Sequence, residues 1–198
     1  MADYNPNLID GNDTAIIGGT NGTIIGNVGD RFKVDVNGQE LVTIDDLNDH
    51  IREGKVYTHI DVHEIANTAT YYHMIVTPNT ALQPQFTYTV SATAECQIFL
   101  YEDPTTSSNG TLTTNYNHNR NNSTENVVLI YHQPTVTSDG TKLEEGKIGG
   151  SGGNKQGSNL ASDRWILKSN SKYLVKIISN ASSNKVSHVI TIDNYEYV

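Results

Sequence analysis

Residues 85–91, Gln85-Phe86-Thr87-Tyr88-Thr89-Val90-Ser91, alternate strictly: Phe86, Tyr88 and Val90 point one way, and Thr87, Thr89 and Ser91 the other. A period of two is the signature of a strand with one face in a core and one in water. The pattern recurs along the chain. It predicts strands at 55–65, 69–77, 84–92, 94–102, 111–115, 125–132, 164–167, 171–179 and 185–197. Between them stand turn signals such as Pro78-Asn79, Asp103-Pro104, Ser108-Asn109-Gly110 and Ser138-Asp139-Gly140. Many short strands with no interleaved helices predict an all-β, antiparallel β-sandwich, most simply a jelly roll. Its domain spans 55–198, preceded by an arm and β-hairpin segment over 1–54.

The arm carries two similar pieces. Asn12-Asp13-Thr14-Ala15-Ile16-Ile17-Gly18 is echoed by Asn21-Gly22-Thr23-Ile24-Ile25-Gly26. Neither piece can build a core of its own, so Ile16, Ile17, Ile24 and Ile25 suit a small hairpin or an extended arm that pairs with another chain. Phe32, Val34 and Val36 alternate with charged residues, Asn37-Gly38 is a two-residue hairpin turn, and Leu41–Ile44 returns as the partner strand. Residues 45–53 form the one helical turn, with Leu47 and Ile51 four apart and Gly54 as its cap. Two stretches read as loops: Asn115–Asn122, and the glycine-rich Gly146–Ser158, whose composition is that of a flexible linker.

Composition excludes several function classes. The net charge is −9 and the thirteen basic residues are scattered, which argues against nucleic acid, since phosphate neutralisation needs clustered Lys and Arg. No apolar stretch reaches transmembrane length and no signal peptide is visible, so a soluble protein made in the cytoplasm, with no membrane partner, is expected. The single Cys96 lies in a strand pattern and reads as a buried, inert thiol. There is no Gly-x-Ser-x-Gly elbow. Gly149–Gly153 lacks the Gly-Lys-Ser/Thr ending of a phosphate loop. Glu144-Glu145 reads as a solvated hairpin end. No catalytic residue and no cofactor is therefore expected.

His59, Asp61 and His63 alternate along one strand and share a face, with His73 on a neighbouring strand. Two histidines and a carboxylate are ligands for zinc or another transition metal. Side chains two apart on a flat strand stand about 7 Å from each other, too far for a tight chelate without bending. The competing expectation makes this the solvent face, with Ile60 and Val62 covering the core. Among the eleven tyrosines, Tyr71-Tyr72 and Tyr116 are the expected exposed rings, while Arg164–Leu167 reads as the opening of a core strand.

Three stretches together resemble a class of tailed-bacteriophage virion proteins: Gly26-Asn27-Val28-Gly29-Asp30-Arg31-Phe32-Lys33-Val34-Asp35; Tyr116-Asn117-His118-Asn119-Arg120-Asn121-Asn122; and Trp165–Lys176 followed by a last strand and the tail Tyr195-Glu196-Tyr197. The resemblance implies a capsid decoration or head-fibre-type jelly roll on the virion surface, a dimer or trimer whose partner is the major capsid protein lattice. The arm residues Ile16, Ile17, Ile24, Ile25, Phe32 and Val34 would then anchor to the shell. Tyr116, His118, Arg120, Lys147 and Lys155 would lie in subunit-contact loops. The alternative is a tail-fibre module reading host glycan.

Overall fold

The computed structural model describes residues 8–9, 15–16, 32–34, 41–43, 46–149, 158–182 and 184–194. Its elements in chain order are β1 (Leu8–Ile9), β2 (Ala15–Ile16), β3 (Phe32–Val34), β4 (Leu41–Thr43), α1 (Asp46–Glu53), β5 (Val56–Ile65), β6 (Thr70–Val76), β7 (Gln85–Ala92), β8 (Cys96–Glu102), β9 (Thr105–Ser108), β10 (Thr111–Leu112), β11 (Tyr116–Asn117), β12 (Leu129–His132), β13 (Thr135–Ser138), β14 (Thr141–Ile148), β15 (Ser158–Ala161), β16 (Trp165–Ile166), β17 (Lys172–Ser179) and β18 (Asn184–Asp193). Two compact units divide the chain, Met1–Asp49 and His50–Val198.

In the first unit β1 pairs with β2, and β3 pairs antiparallel with β4 in the register Phe32↔Thr43 and Val34↔Leu41. That second pairing is the expected hairpin. Ile16 falls in β2, and Phe32 and Val34 in β3. Ile17, Ile24 and Ile25 of the arm, Lys155 of the glycine-rich loop and the tail Tyr195–Tyr197 lie outside the described residues.

The second unit is an antiparallel sandwich. One sheet has the order β10-β12-β6-β17-β8-β14; the other runs β11-β5-β18-β7-β15, with β16 also beside β7. Stripped of the short strands, the two sheets are β6-β17-β8-β14 and β5-β18-β7-β15. Chain order switches sheet at every step except the β8–β14 hairpin. Eight strands so connected make a jelly roll of two Greek keys. The core lies between the sheets. Phe86, Tyr88 and Val90 of β7 face inward as their alternation predicts, against Ile98 and Leu100 of β8, Val175 and Ile177 of β17, and Ile190 and Ile192 of β18. Cys96 is fully buried within the same cluster, and burial pushes its thiol up to about 11, as expected of an inert thiol.

The helix forms where expected. Gly54 takes a left-handed φ of 75° and its amide bonds the Ile51 carbonyl, while Lys55 N bonds the His50 carbonyl. The Asn-rich loop finishes this cap. Asn117 donates to the Gly54 carbonyl at 2.8 Å, Asn119 to that of Arg52 at 2.8 Å and Asn122 to that of Glu53 at 3.3 Å. These amides satisfy carbonyls that a helix end leaves orphaned. His50 Nδ1 then lies 2.8 Å from Asp193 Oδ2, both buried, tying the helix to the end of β18.

Five strands of the second unit escape the sequence reading: β9, β13, β11, β14 and β15. The first two lie in the insertion between β8 and β14, which holds an internal duplication. Glu102-Asp103-Pro104-Thr105 to Asn109-Gly110-Thr111 matches His132-Gln133-Pro134-Thr135 to Asp139-Gly140-Thr141. The copies pair through β9 and β13 and lock reciprocally. Asp103 and Gln133 both have positive φ, at 54° and 51°, as do Gly110 and Gly140, at 88° and 87°. A Cβ on Gly110 would meet the His132 carbonyl oxygen, and one on Gly140 that of Glu102. The expected loop 146–158 is also narrower than its composition suggests. β14 runs on to the buried Ile148, Gly146 packs against Leu160, and β15 begins at Ser158. Glu144-Glu145 is no solvated hairpin end but part of β14. Glu144 is half-buried and accepts the Trp165 indole N–H at 3.1 Å, while Glu145 pairs with Lys142. Trp165–Ile166 is a two-residue strand whose Ile166 is exposed; Leu167 after it enters the core.

Candidate metal centre

The strand β5 is turned over relative to the solvent-face expectation. Ile60 and Val62 are 57% and 64% exposed, while His59, Asp61 and His63 face the other sheet. The physical reason lies on the neighbouring strand and across the sandwich. His188 on β18 stands directly opposite Asp61 in the register, and His73 on β6 stands opposite His132 on β12. Five imidazoles, Asp61 and Tyr71 therefore meet between the inner faces of the two sheets. Tyr71, expected to be an exposed ring, is buried here with its ring centroid 3.8 Å from that of His63.

Asp61 is the hub. Its Oδ2 lies 2.5 Å from His63 Nε2, 3.9 Å from His59 Nε2, 4.0 Å from His73 Nε2 and 3.8 Å from His132 Nδ1. The Tyr71 hydroxyl stands 3.4 Å from that same oxygen and 3.1 Å from His132 Nδ1. Asp61 Oδ1 accepts the Val62 amide at 2.9 Å. The His63 contact is an ion-pair distance without the alignment of a hydrogen bond. The flat-strand spacing of about 7 Å does not keep these groups apart: His59 and His63 reach Asp61 Oδ2 from β5 itself, and His73, His132 and His188 join them from other strands.

His59, His73 and His188 form an inner triad, all buried, each offering a nitrogen within 4.8 Å of the others'. The rings of His73 and His188 meet edge to face at 3.7 Å between centroids. Asp61, His63 and His132 form an outer triad of half-buried side chains. Burial drives the inner imidazoles toward the neutral form: His188 is pushed down to about 3, His73 well below its ordinary value, and His59 downward against its hydrogen bond to the Thr114 carbonyl and the charge of Asp61. The Tyr71 phenol is pushed up by burial and then by the Asp61 charge.

Of the contact residues expected in loops, His118 and Arg120 are exposed there, while Tyr116 is exposed on the short strand β11, with the Arg120 guanidinium 5.9 Å from the centre of its ring. Lys147 is not in a loop but on β14, where its ammonium pairs with Glu95 at 2.9 Å. His188 and His132 were missed by sequence reasoning as members of the cluster. The alternation of Val186, His188 and Ile190 on a core-facing strand was the signal that placed His188 inside.

Fold and site together define a jelly-roll module with a histidine-rich polar cluster between its sheets, buried at its inner triad and half-buried at its outer one. No family model, no curated protein and no solved structure matches the chain.

Proposed function

We propose that the chain is a non-enzymatic virion structural protein, a decoration protein that binds and stabilises an assembled tailed-phage head. The observation that carries this reading is the inverted β5. An amphipathic strand that spends its polar side chains inward leaves Ile60 and Val62 facing out, and Tyr116 of β11, paired with Thr58, extends the same outer face at 52% exposure. Among the described residues, β11 pairs with β5 only at Tyr57 and Thr58. The strand thus offers an apolar outer face beside a largely unpaired edge, the arrangement that strand addition or subunit packing covers.

A protein that binds only the assembled lattice stabilises it by linkage, since whatever binds one state shifts the balance toward it. Oligomeric packing multiplies weak contacts through avidity. In this role Ile16, Ile17, Ile24, Ile25, Phe32 and Val34 anchor to the shell, and Tyr116, His118 and Arg120 supply the outer contacts. The test mixes labelled full-length protein with purified heads and measures co-sedimentation and position by electron microscopy. Wild type is expected on the head. A chain lacking residues 1–36, and the pair Ile60→Asp with Val62→Asp, are expected to lose binding by at least tenfold while staying folded. Absence from heads, or retention on a glycan array in place of heads, overturns the assignment; the second outcome points to a tail-fibre module.

A further inference from the structure

We propose that His59, His73, His188 and Asp61 bind one divalent transition-metal ion of the zinc class, which staples the two sheets of the sandwich together. Three of these ligands come from the β5–β18 sheet and His73 from the facing sheet, so a single ion bridges the layers.

The argument starts from unsatisfied atoms. His59 Nε2, both ring nitrogens of His73 and both of His188 are buried with no hydrogen-bond partner. A neutral imidazole has one N–H and one lone pair, and native interiors seldom leave such groups unpaired. One common partner can take one nitrogen from each of the three neighbouring rings, three of these five orphan atoms. A cation is the partner to which several neutral imidazole lone pairs can donate at once.

The tautomer of His59 is already set for this. Its Nδ1 lies 3.1 Å from the Thr114 carbonyl, which can only accept, so Nδ1 carries the proton and Nε2 turns a bare lone pair toward the cluster. Fixing a ligand ring through its other nitrogen is how protein metal sites orient histidine. Asp61 supplies the charged oxygen, with Oδ2 at 3.9 and 4.0 Å from His59 Nε2 and His73 Nε2. Tetrahedral ligands at about 2.0–2.1 Å from zinc stand about 3.3–3.4 Å apart, so side-chain shifts of roughly half an ångström bring these three into range. His63, Tyr71 and His132 lie around this same Oδ2, and Oδ1 accepts the Val62 amide, so the carboxylate is held in place. With three nitrogens and one oxygen from the protein, all packed between the sheets, the site is closed, which is the mark of a structural ion and not a catalytic one.

The outer triad is the weaker choice. His132 Nδ1 already faces the Tyr71 hydroxyl, and its side chain is the most exposed of the set.

The full-length chain, stripped with chelator, is titrated with Zn2+ and with Co2+. One ion per chain is expected, with a rise in melting temperature and, for Co2+, the visible absorption of a tetrahedral complex. His188→Ala and Asp61→Asn are expected to weaken binding at least a hundredfold, and His132→Ala less than tenfold. Should the inner variants fail to fold, nitrogen NMR of the wild-type histidines decides: Zn2+ must shift His59 Nε2, His73 and His188. No bound ion, an octahedral cobalt spectrum, or loss confined to His132→Ala overturns the assignment. All of these readouts are taken on free protein, so they stand or fall independently of head binding.

Discussion

Lowering the pH from 7 to 5 is expected to destabilise the metal-stripped protein steeply, because His73 and His188 are held neutral by burial. Both are neutral in the folded and unfolded chain above pH 7, so stability is flat there. Below the ordinary histidine value of about 6.5, the unfolded chain takes up protons that the folded chain refuses. Stability therefore falls as pH falls, and for His188 it goes on falling until its folded value of about 3 is reached. With an unfolded value of about 6.5, His188 costs about 2 kcal/mol between pH 7 and pH 5, approaching about 1.4 kcal/mol per pH unit at the lower end. His73, pushed down by the same burial, adds a loss of the same sign, and the His188 share alone is already large against the roughly 5–15 kcal/mol that folded domains possess. The assay is urea denaturation of chelator-treated full-length protein at pH 7.5, 6.5, 5.5 and 5.0, beside His188→Leu. The variant's slope near pH 5 should be shallower by about 1.4 kcal/mol per pH unit. A wild-type stability that is flat or rises on acidification refutes the reasoning, as does a variant with the wild-type slope.

Two further outcomes follow from the backbone. Gly140→Ala places a Cβ 2.2 Å from the Glu102 carbonyl oxygen at a φ of +87°, so both strain and clash apply. A loss of about 2–4 kcal/mol in denaturant unfolding is expected, against less than about 0.5 kcal/mol for Ser107→Ala on the exposed side of the same insertion. Asn117→Ala removes the buried amide that bonds the Gly54 carbonyl at 2.8 Å. It should cost about 1–3 kcal/mol and speed amide exchange at Gly54 and Lys55, whose bonds close the helix end.

Much of the fold was legible in local pattern. The β7 alternation, the β3–β4 hairpin and the helix ending at Gly54 each rest on signals within a few residues. β9 and β13 were not legible as strands, because Thr- and Ser-rich segments without an apolar face carry no period. The duplicated Pro-Thr…Gly-Thr spacing around them was the one clue. β14 was hidden for another reason. Its Lys and Glu residues look solvated until Trp165 and Leu160 from later in the chain pack on it. The candidate site was half legible: the shared face of His59, Asp61 and His63 was readable, its direction was not.

Period two determined that β5 carries imidazole and carboxylate on one side and isoleucine and valine on the other. A period carries no sign, however, and hydrophobicity alone would have buried Ile60 and Val62. What chose the other side were His73 and His188, brought from 10 and 127 residues beyond His63 and Asp61 by the crossing of the two Greek keys. Only a fold that juxtaposes distant strands can make a polar interior, because each of its groups needs partners that its own strand does not contain.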